Sequence, residues 1–204
     1  MNNSSHKGGR FLPQVLSQDE VNAMISICNP ESLSGARNRA IVAVLYRCGL
    51  RVSEALALKT SDLAFSSSVV RVLHGKGNKA RQVGIDDSAS EIVQHYLSGH
   101  RHKVDDGPRV FVTYTGKPVL PRYVHTMMVR LAKWAGITKR VHPHGLRHTH
   151  AHELEMEGVP VSVIAKTLGH ASIHTTNTYL NHIHPTAAVN AIRGRRWATQ
   201  GAAR

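Results

Sequence analysis

Two stretches near the carboxyl end of the chain carry residues that could act on a phosphodiester. The first holds His144 and Arg147, and the second begins at His170 and ends at Tyr179. A tyrosine hydroxyl, with a pKa of about 10, is a weak nucleophile at neutral pH. It becomes effective where fixed positive charge stabilises the phenolate and the transition state, which arginine and histidine can supply without a metal. The two stretches therefore gather the parts that attack on a phosphodiester requires: a nucleophile, cations and hydrogen-bond donors.

Further candidates lie upstream. Arg51 follows a glycine that ends a predicted helix, and Glu54 lies one turn later. Lys76 lies between two glycines at the tip of a predicted hairpin. Each also has an ordinary explanation when taken singly, such as a local ion pair or an exposed turn lysine. His170 could cap a helix, and Tyr179 could be a half-buried aromatic.

The charge of the chain favours a polyanionic partner. The 204 residues carry a formal net charge of +13, and the pI is near 10.4. No acidic residue occurs between Asp62 and Asp86, between Asp106 and Glu153, or after Glu157. One basic run is usually a solvated surface, but three acid-free basic segments favour binding to nucleic acid.

The two cysteines, Cys28 and Cys48, do not form the pattern of a secreted disulfide framework. No stretch is long and apolar enough for a membrane span, and the polar amino terminus lacks the apolar region of a signal peptide. We therefore expect a cytoplasmic protein that does not associate with membranes.

The periodicity predicts a mainly α fold with a small antiparallel β-sheet (α+β). A capping box at Ser17 predicts a helix to about Cys28. The other predicted helices are about Ala36–Cys48, Arg51–Leu58, Ser88–His100, Arg122–Ala135, Leu146–Glu157, Pro160–Leu168 and His174–His182. Valine-rich strands are predicted over Ser67–His74 and Ala80–Ile85, with Asp62–Phe65 as a possible third strand. Residues 1–16 are expected to be a flexible leader, 17–184 one domain and 185–204 a basic tail.

Taken in order, the motifs resemble those of the tyrosine recombinase (phage integrase) family, especially its Xer-like and transposon or phage integrase members. The matching runs are Gly49-Leu-Arg51-Val-Ser-Glu54, Gly75-Lys76-Gly-Asn-Lys-Ala-Arg81, His144-Gly-Leu-Arg147-His148-Thr149, Leu168-Gly169-His170 and Tyr179. The likeness covers the chain from about Leu16 to His184. Tyr179 follows His170 by nine residues, as the family expects.

The resemblance implies a role for each matching residue. The implied catalytic residues are the Arg-His-Arg set, the hairpin lysine, the second histidine and the nucleophile: Arg51, His144, Arg147, Lys76, His170 and Tyr179. Glu54 falls on a buried acid that supports the site, and His148 is expected to pack around the arginine or contact phosphate. Lys79 and Arg81, beside the hairpin lysine, are expected to contact DNA.

The activity implied by the resemblance is site-specific DNA recombination or integration. Strands would be cut and rejoined through a 3′-phosphotyrosyl intermediate, without a metal, cofactor or ATP. The expected partners are double-stranded DNA with a specific recombination site and further copies of the chain, in a tetramer on DNA. Such proteins serve mobile genetic elements or resolve replicon dimers, and the target sequence is not readable here.

Both ends of the chain carry expectations of their own. Most family members have an additional amino-terminal helical domain that closes a clamp around DNA, and 16 leader residues are too few to form one. We therefore expect weak, strongly salt-dependent DNA binding unless a partner supplies the second half of the clamp. The tail carries Arg193, Arg195 and Arg196. It is expected either to dock on a neighbouring protomer or to contact DNA.

Three other interpretations of these motifs remain open from the sequence alone. The segment from Val161 to Thr176 resembles a helix-turn-helix and could bind DNA without chemistry. A type IB topoisomerase shares similar chemistry but only relaxes supercoils. The run of histidines from His142 to His152 could suggest a metal, but spacing by two does not place ligands on one helix face.

The proposed acid at Lys76 gives the first testable prediction. Replacing the leaving 5′ oxygen by sulfur removes the need for a proton donor, because a thiolate leaves without one. Lys76→Ala should therefore cleave ordinary DNA slowly but the sulfur-substituted DNA at nearly the parent rate. Single-turnover cleavage of both substrates measures this. A large remaining defect on the sulfur substrate would count against Lys76 as the acid.

Overall fold

A computed structural model of the protein describes residues 14–73, 80–104 and 107–170. Within these ranges the chain forms seven α-helices, three short strands and three single-turn 3-10 segments. The helices are α1 (Gln18–Ile27), α2 (Leu33–Arg47), α3 (Val52–Ala57), α4 (Asp87–Gly99), α5 (Pro121–Trp134), α6 (Pro143–Met156) and α7 (Val161–Leu168). The predicted mainly α fold with a small antiparallel sheet is confirmed.

Helix α2 lies at the centre of the core. Its residues from Ala40 to Leu45 are almost completely buried, with exposed fractions of 0–1%. This stretch has no polar face, which explains why an apolar run rather than a one-sided stripe marks it in the sequence. It packs against α1, α4 and α6, and α6 carries two of the candidate catalytic residues.

Local capping sets where the helices begin. Ser17 accepts a hydrogen bond from the Glu20 N–H, and the Glu20 carboxylate accepts one from the Ser17 N–H, so the predicted capping box is present. Helix α2 begins three residues before the predicted Ala36, because the Ser32 hydroxyl caps it by accepting from the Gly35 N–H.

The sheet contains β1 (Leu63–Ala64), β2 (Val69–Val72) and β3 (Arg81–Gly84), antiparallel in that order. Val70 pairs with Val83, and Val72 pairs with Arg81. Strand β2 starts later than predicted because residues 65–67 form a 3-10 turn that ends at Ser68, whose φ is 53°. The intervening hairpin residues 74–79 and the predicted helix His174–His182 lie outside the described residues.

Helices α6 and α7 form a second, smaller packing unit. Ile164 and Leu168 of α7 are fully buried against Ala151 of α6. Pro160 lies at the N-cap position, so α7 begins at Val161, one residue later than predicted, and Gly169 ends the helix with a φ of 65°. No helix in the part of the chain that the structure describes has the length and hydropathy needed to cross a membrane.

The glycine after α2 gives a stability prediction. Gly49 has a φ of 58°, and a Cβ there would lie 2.4 Å from Cδ2 of His150. Gly136 has a similar φ of 69°, but a Cβ there would have no neighbour within 4 Å. Gly136→Ala should cost about 1–2 kcal/mol from the left-handed backbone alone. Gly49→Ala should cost about 1–3 kcal/mol more, because the methyl group collides with His150.

Urea unfolding of both variants measures this difference. Equal losses of unfolding free energy would show that the contact between Gly49 and His150 does not constrain the fold.

Candidate active site

A buried carboxylate, Glu54 of α3, lies at the centre of the site, with its side chain 2% exposed. Its Oε1 accepts hydrogen bonds from Nη1 of Arg51 at 2.8 Å and from Nη1 of Arg81 at 2.9 Å. Its Oε2 accepts from Nη2 of Arg81 at 2.8 Å and from the Arg51 backbone N–H at 2.9 Å. These four bonds fill the usual acceptor capacity of a carboxylate.

The same carboxylate stays ionised to low pH. Burial by itself would raise the pKa of Glu54, but hydrogen bonds from Arg81 and Arg51 outweigh burial and lower this pKa to about 2. Glu54 is therefore a fixed negative charge under ordinary conditions, and it can orient the arginines around it.

Arg147 of α6 is the third arginine of this group, and its side chain is fully buried. Its Nη1 donates to the Gly49 carbonyl at 2.7 Å, and its Nη2 donates to the Leu168 carbonyl. The same Nη1 lies 3.9 Å from Oε2 of Glu54. Arg147 thus joins the end of α2, the end of α7 and the carboxylate. We call Glu54 with Arg51, Arg81 and Arg147 the Glu54 cluster.

Two histidines lie beside the Glu54 cluster. His144 is one turn before Arg147 and lies at the protein surface. Desolvation and the charge of Arg147 lower the pKa of its imidazole. His170 follows Gly169, and desolvation together with Arg147 and Arg51 lowers its pKa to about 4. Both histidines are therefore neutral at pH 7 and can accept or share a proton.

His148 packs beneath His144. The two rings meet edge to face with their centroids 4.6 Å apart, and His148 is 7% exposed. Burial lowers the pKa of His148 to about 3, and the neighbouring His144 adds to this effect. A neutral ring in this position supports His144 without adding charge to the site.

The structure brings seven of the predicted site residues together: Arg51, Glu54, Arg81, His144, Arg147, His148 and His170. The remaining predicted residues lie outside the described ranges, and their roles stay predictions: Lys76, Lys79, Tyr179, Arg193, Arg195 and Arg196.

Arg81 lies in a different environment from the one expected of a DNA contact. Its side chain is 10% exposed, its guanidinium forms a bidentate pair with Glu54, and its Nε donates to the Thr167 carbonyl at 2.8 Å. Sequence reasoning missed this role, since Arg81 and Thr167 are 86 positions apart. A contact between Arg81 and DNA stays a prediction.

The run of histidines in α6 serves several separate purposes. His142 caps the helix, because its Nδ1 accepts from the Gly145 N–H at 3.1 Å. His150 lies on another side, 7% exposed and close to Gly49. Over residues 14–73, 80–104 and 107–170, no three histidine, cysteine or acidic side chains are grouped as metal ligands. Helix α6 therefore begins at Pro143, three residues before the predicted Leu146, and proline at a first helical position is a sequence signal for this start.

A second group of ion pairs connects α6 to α2 and to the start of α4, and sequence reasoning also missed it. Arg47 of α2 bonds Asp86 at the start of α4, and it bonds Glu153 of α6 at 3.0 Å. The Tyr46 hydroxyl donates to Glu153 as well. These partners are far apart in the chain, so no local pattern reveals them.

The sequence matches known proteins over most of its length. Residues 14–184 match the Phage integrase family. A tyrosine recombinase of Thermosipho africanus is 35% identical over 185 residues, covering 90% of this chain and 62% of the relative. Tyrosine recombinase XerD of Halalkalibacterium halodurans is 35% identical over 195 residues, covering 89% of this chain and 65% of the relative. The chain therefore spans less than two thirds of the length of these relatives.

Solved structures give the same picture of the fold. The crystal structure of XerA recombinase is similar with a TM-score of 0.77 and 30% identity, over 95% of this chain and 68% of that one. XerH recombinase bound to its difH DNA substrate has a TM-score of 0.74 at 23% identity, over 93% and 55%. The catalytic domain of bacteriophage HP1 integrase has a TM-score of 0.55 at 21% identity, over 92% and 98%.

The buried histidines predict a loss of stability in mild acid. The pKa values of His148 and His150 are about 3 and about 4 in the folded protein, against 6.5 ordinarily. As the pH falls from about 6.5 toward 4, these histidines therefore bind protons in the unfolded chain but not in the folded protein. The free energy of unfolding should fall by up to about 1.4 kcal/mol per pH unit for each histidine.

Urea unfolding between pH 7 and 4.5 measures this slope. His150→Gln should lower the slope by about 1 kcal/mol per pH unit, because one titrating group is lost. His125→Gln on the exposed face of α5 is the matched control. An identical slope for His150→Gln and the parent would contradict the assignment.

Proposed function

Since the chain belongs to the phage integrase family, we propose that it is a site-specific DNA recombinase that cuts and rejoins strands through a 3′-phosphotyrosyl intermediate, without metal or ATP. The observation that carries the proposal is the Glu54 cluster with its two histidines. It gathers Arg51 and Arg147 at one carboxylate and places His144 and His170 beside them.

The cations of this site suit a phosphodiester in its transition state. A five-coordinate phosphorus carries more negative charge on its non-bridging oxygens than the ground state does. Arginine forks bind such oxygens through paired N–H donors, and a partly desolvated setting strengthens the attraction. Arg51 is 27% exposed at its side chain, so substrate can reach it, while Arg147 is fully buried and contributes its positive charge from within the protein.

The proposed reaction is a transfer between two oxygens. The Tyr179 hydroxyl oxygen attacks phosphorus, the bond from phosphorus to the 5′ oxygen breaks, and the 3′ phosphate becomes esterified to tyrosine. His144, neutral because its pKa is lowered, takes up the tyrosine proton. Lys76 gives a proton to the leaving 5′ oxygen, and His170 hydrogen-bonds the phosphate. A second 5′ hydroxyl reverses the step, since the ester conserves the bond energy.

The proposed partners are double-stranded DNA and further copies of the chain. Support for DNA comes from the net charge of +13 and from the similar recombinase XerH, whose structure holds a difH DNA substrate. We place the protein in the cytoplasm as a tetramer on paired sites. In this arrangement the tail from residue 185 to 204 either docks on a neighbouring protomer or contacts DNA.

The nucleophile can be tested although the target site is unknown. Nicked duplexes with a randomised core are incubated with the protein at low salt, and DNA that stays bound in detergent is recovered and sequenced. The enriched sequence then serves as a nicked substrate for single-turnover assays. Tyr179→Phe should form no adduct, because phenylalanine lacks the attacking oxygen.

The other tyrosines provide the control for this experiment. Tyr114→Phe, at a side chain that is 82% exposed, should form adduct at the parent rate. Adduct formation by Tyr179→Phe would refute the nucleophile. Relaxation of supercoiled DNA without exchange between two enriched sites would indicate a topoisomerase instead.

A further inference from the structure

The Glu54 cluster contains one arginine that the proposed reaction does not use. Arg81, the first residue of β3, makes two bonds to Glu54 and one to the Thr167 carbonyl. The side chain of Arg81 is 10% exposed, against 27% for the side chain of Arg51. Since its Nε, Nη1 and Nη2 each already donate to an acceptor within the protein, Arg81 is placed to act on the carboxylate rather than on a substrate.

The hydrogen bonds of Arg81 determine how many acceptor positions of the Glu54 carboxylate remain for the other arginines. Arg81 takes one acceptor position on each carboxylate oxygen, and Arg51 takes the remaining two through its side chain and backbone. Arg147 stays 3.9 Å from Oε2, beyond hydrogen-bond distance. Without Arg81, the carboxylate would have two acceptor positions open and would draw Arg147 and Arg51 toward itself. Cations paired in this way would bind a phosphate less well.

Arg81 also contacts the segment that carries His170. Its Nε bond to the Thr167 carbonyl satisfies one of the last carbonyls of α7. Its guanidinium lies over Gly169, because a Cβ there would lie 3.0 Å from Nη1 and 3.1 Å from Cζ. The next residue is His170. One side chain thus joins β3, α3 and the end of α7.

We propose that Arg81 is a positioning residue for strand cleavage: it occupies two acceptor positions of Glu54 and so keeps Arg51 and Arg147 in the positions from which their charges act on the scissile phosphate, and it fixes the end of α7 before His170. This inference rests on the proposed recombinase function. It differs from a DNA contact by Arg81, which would change affinity rather than the rate on bound DNA.

Arg81→Met tests the proposal, with Arg71→Met as the matched control. Arg71 is exposed on the neighbouring strand β2, and its removal costs the chain the same charge. On the enriched nicked duplex at saturating protein, Arg81→Met should slow adduct formation about 100-fold, as displaced catalytic groups do. Its dissociation constant and salt dependence should match those of Arg71→Met.

Arg81→Lys separates charge from geometry. Lysine keeps the positive charge but cannot bond both Glu54 oxygens and the Thr167 carbonyl at once. It should therefore fold, bind DNA like the parent and still cleave slowly. Recovery of the parent rate by Arg81→Lys would overturn the proposal, since charge alone would then suffice.

A double-mutant cycle shows whether Arg81 acts through Glu54. In a Glu54→Gln background, Arg81→Met should lower the rate further by much less than about 100-fold, because the interaction with Glu54 is already lost and only the Thr167 bond remains to be removed. A full 100-fold effect in that background would contradict the proposed route.

The outcomes distinguish this inference from the function on which it rests. If the parent protein forms no Tyr179-dependent adduct, the recombinase proposal fails, and this inference fails with it. If the parent reacts and Arg81→Met reacts as fast as Arg71→Met, only the role of Arg81 is overturned. A weaker affinity with an unchanged rate would assign Arg81 to DNA binding and overturn the positioning role.

Discussion

The site depends on one ionised carboxylate held among three arginines. Glu54 is nearly inaccessible to water, and such a charge is tolerated only where hydrogen bonds and opposite charges replace its hydration. Removing one partner from a buried ion pair typically costs about 3–5 kcal/mol, because the remaining charge is left unpaired. The arginines therefore have little freedom to turn away, and their positions are fixed before any substrate binds.

Each arginine reaches Glu54 from a different part of the chain. Arg51 immediately precedes α3, Arg81 begins β3, and Arg147 lies in α6, which packs against the central helix α2. Arg81 and Arg147 also bond backbone carbonyls at the end of α7. The carboxylate thus joins sheet, core and the α6–α7 unit. A phosphate bound at this point would meet groups whose geometry is set by the whole fold, which is the preorganisation that electrostatic catalysis requires.

Helix type and order could be predicted from the sequence, since caps such as Ser17, the buried run of α2 and Gly169 are local signals. The start of α2 could not be predicted, because a serine at position 32 is a weaker signal than the apolar run that follows it. Arg51, His144, Arg147 and His170 were found through spaced motifs. The role of Arg81 was not, because its partners Glu54 and Thr167 lie 27 and 86 positions away and only tertiary packing brings them together.

The pKa of Glu54 tests the central claim most directly. Carbon-13 NMR of the labelled glutamate carboxyl groups, with Glu54 identified by its absence in Glu54→Gln, follows this titration in the free protein while near-ultraviolet circular dichroism reports that the fold persists. The structure predicts a pKa of about 2, so the Glu54 resonance should not shift as the pH falls from 7 to about 3.5. A midpoint near the ordinary glutamate value of about 4.3 would show that the arginines do not hold the charge, and it would contradict the account.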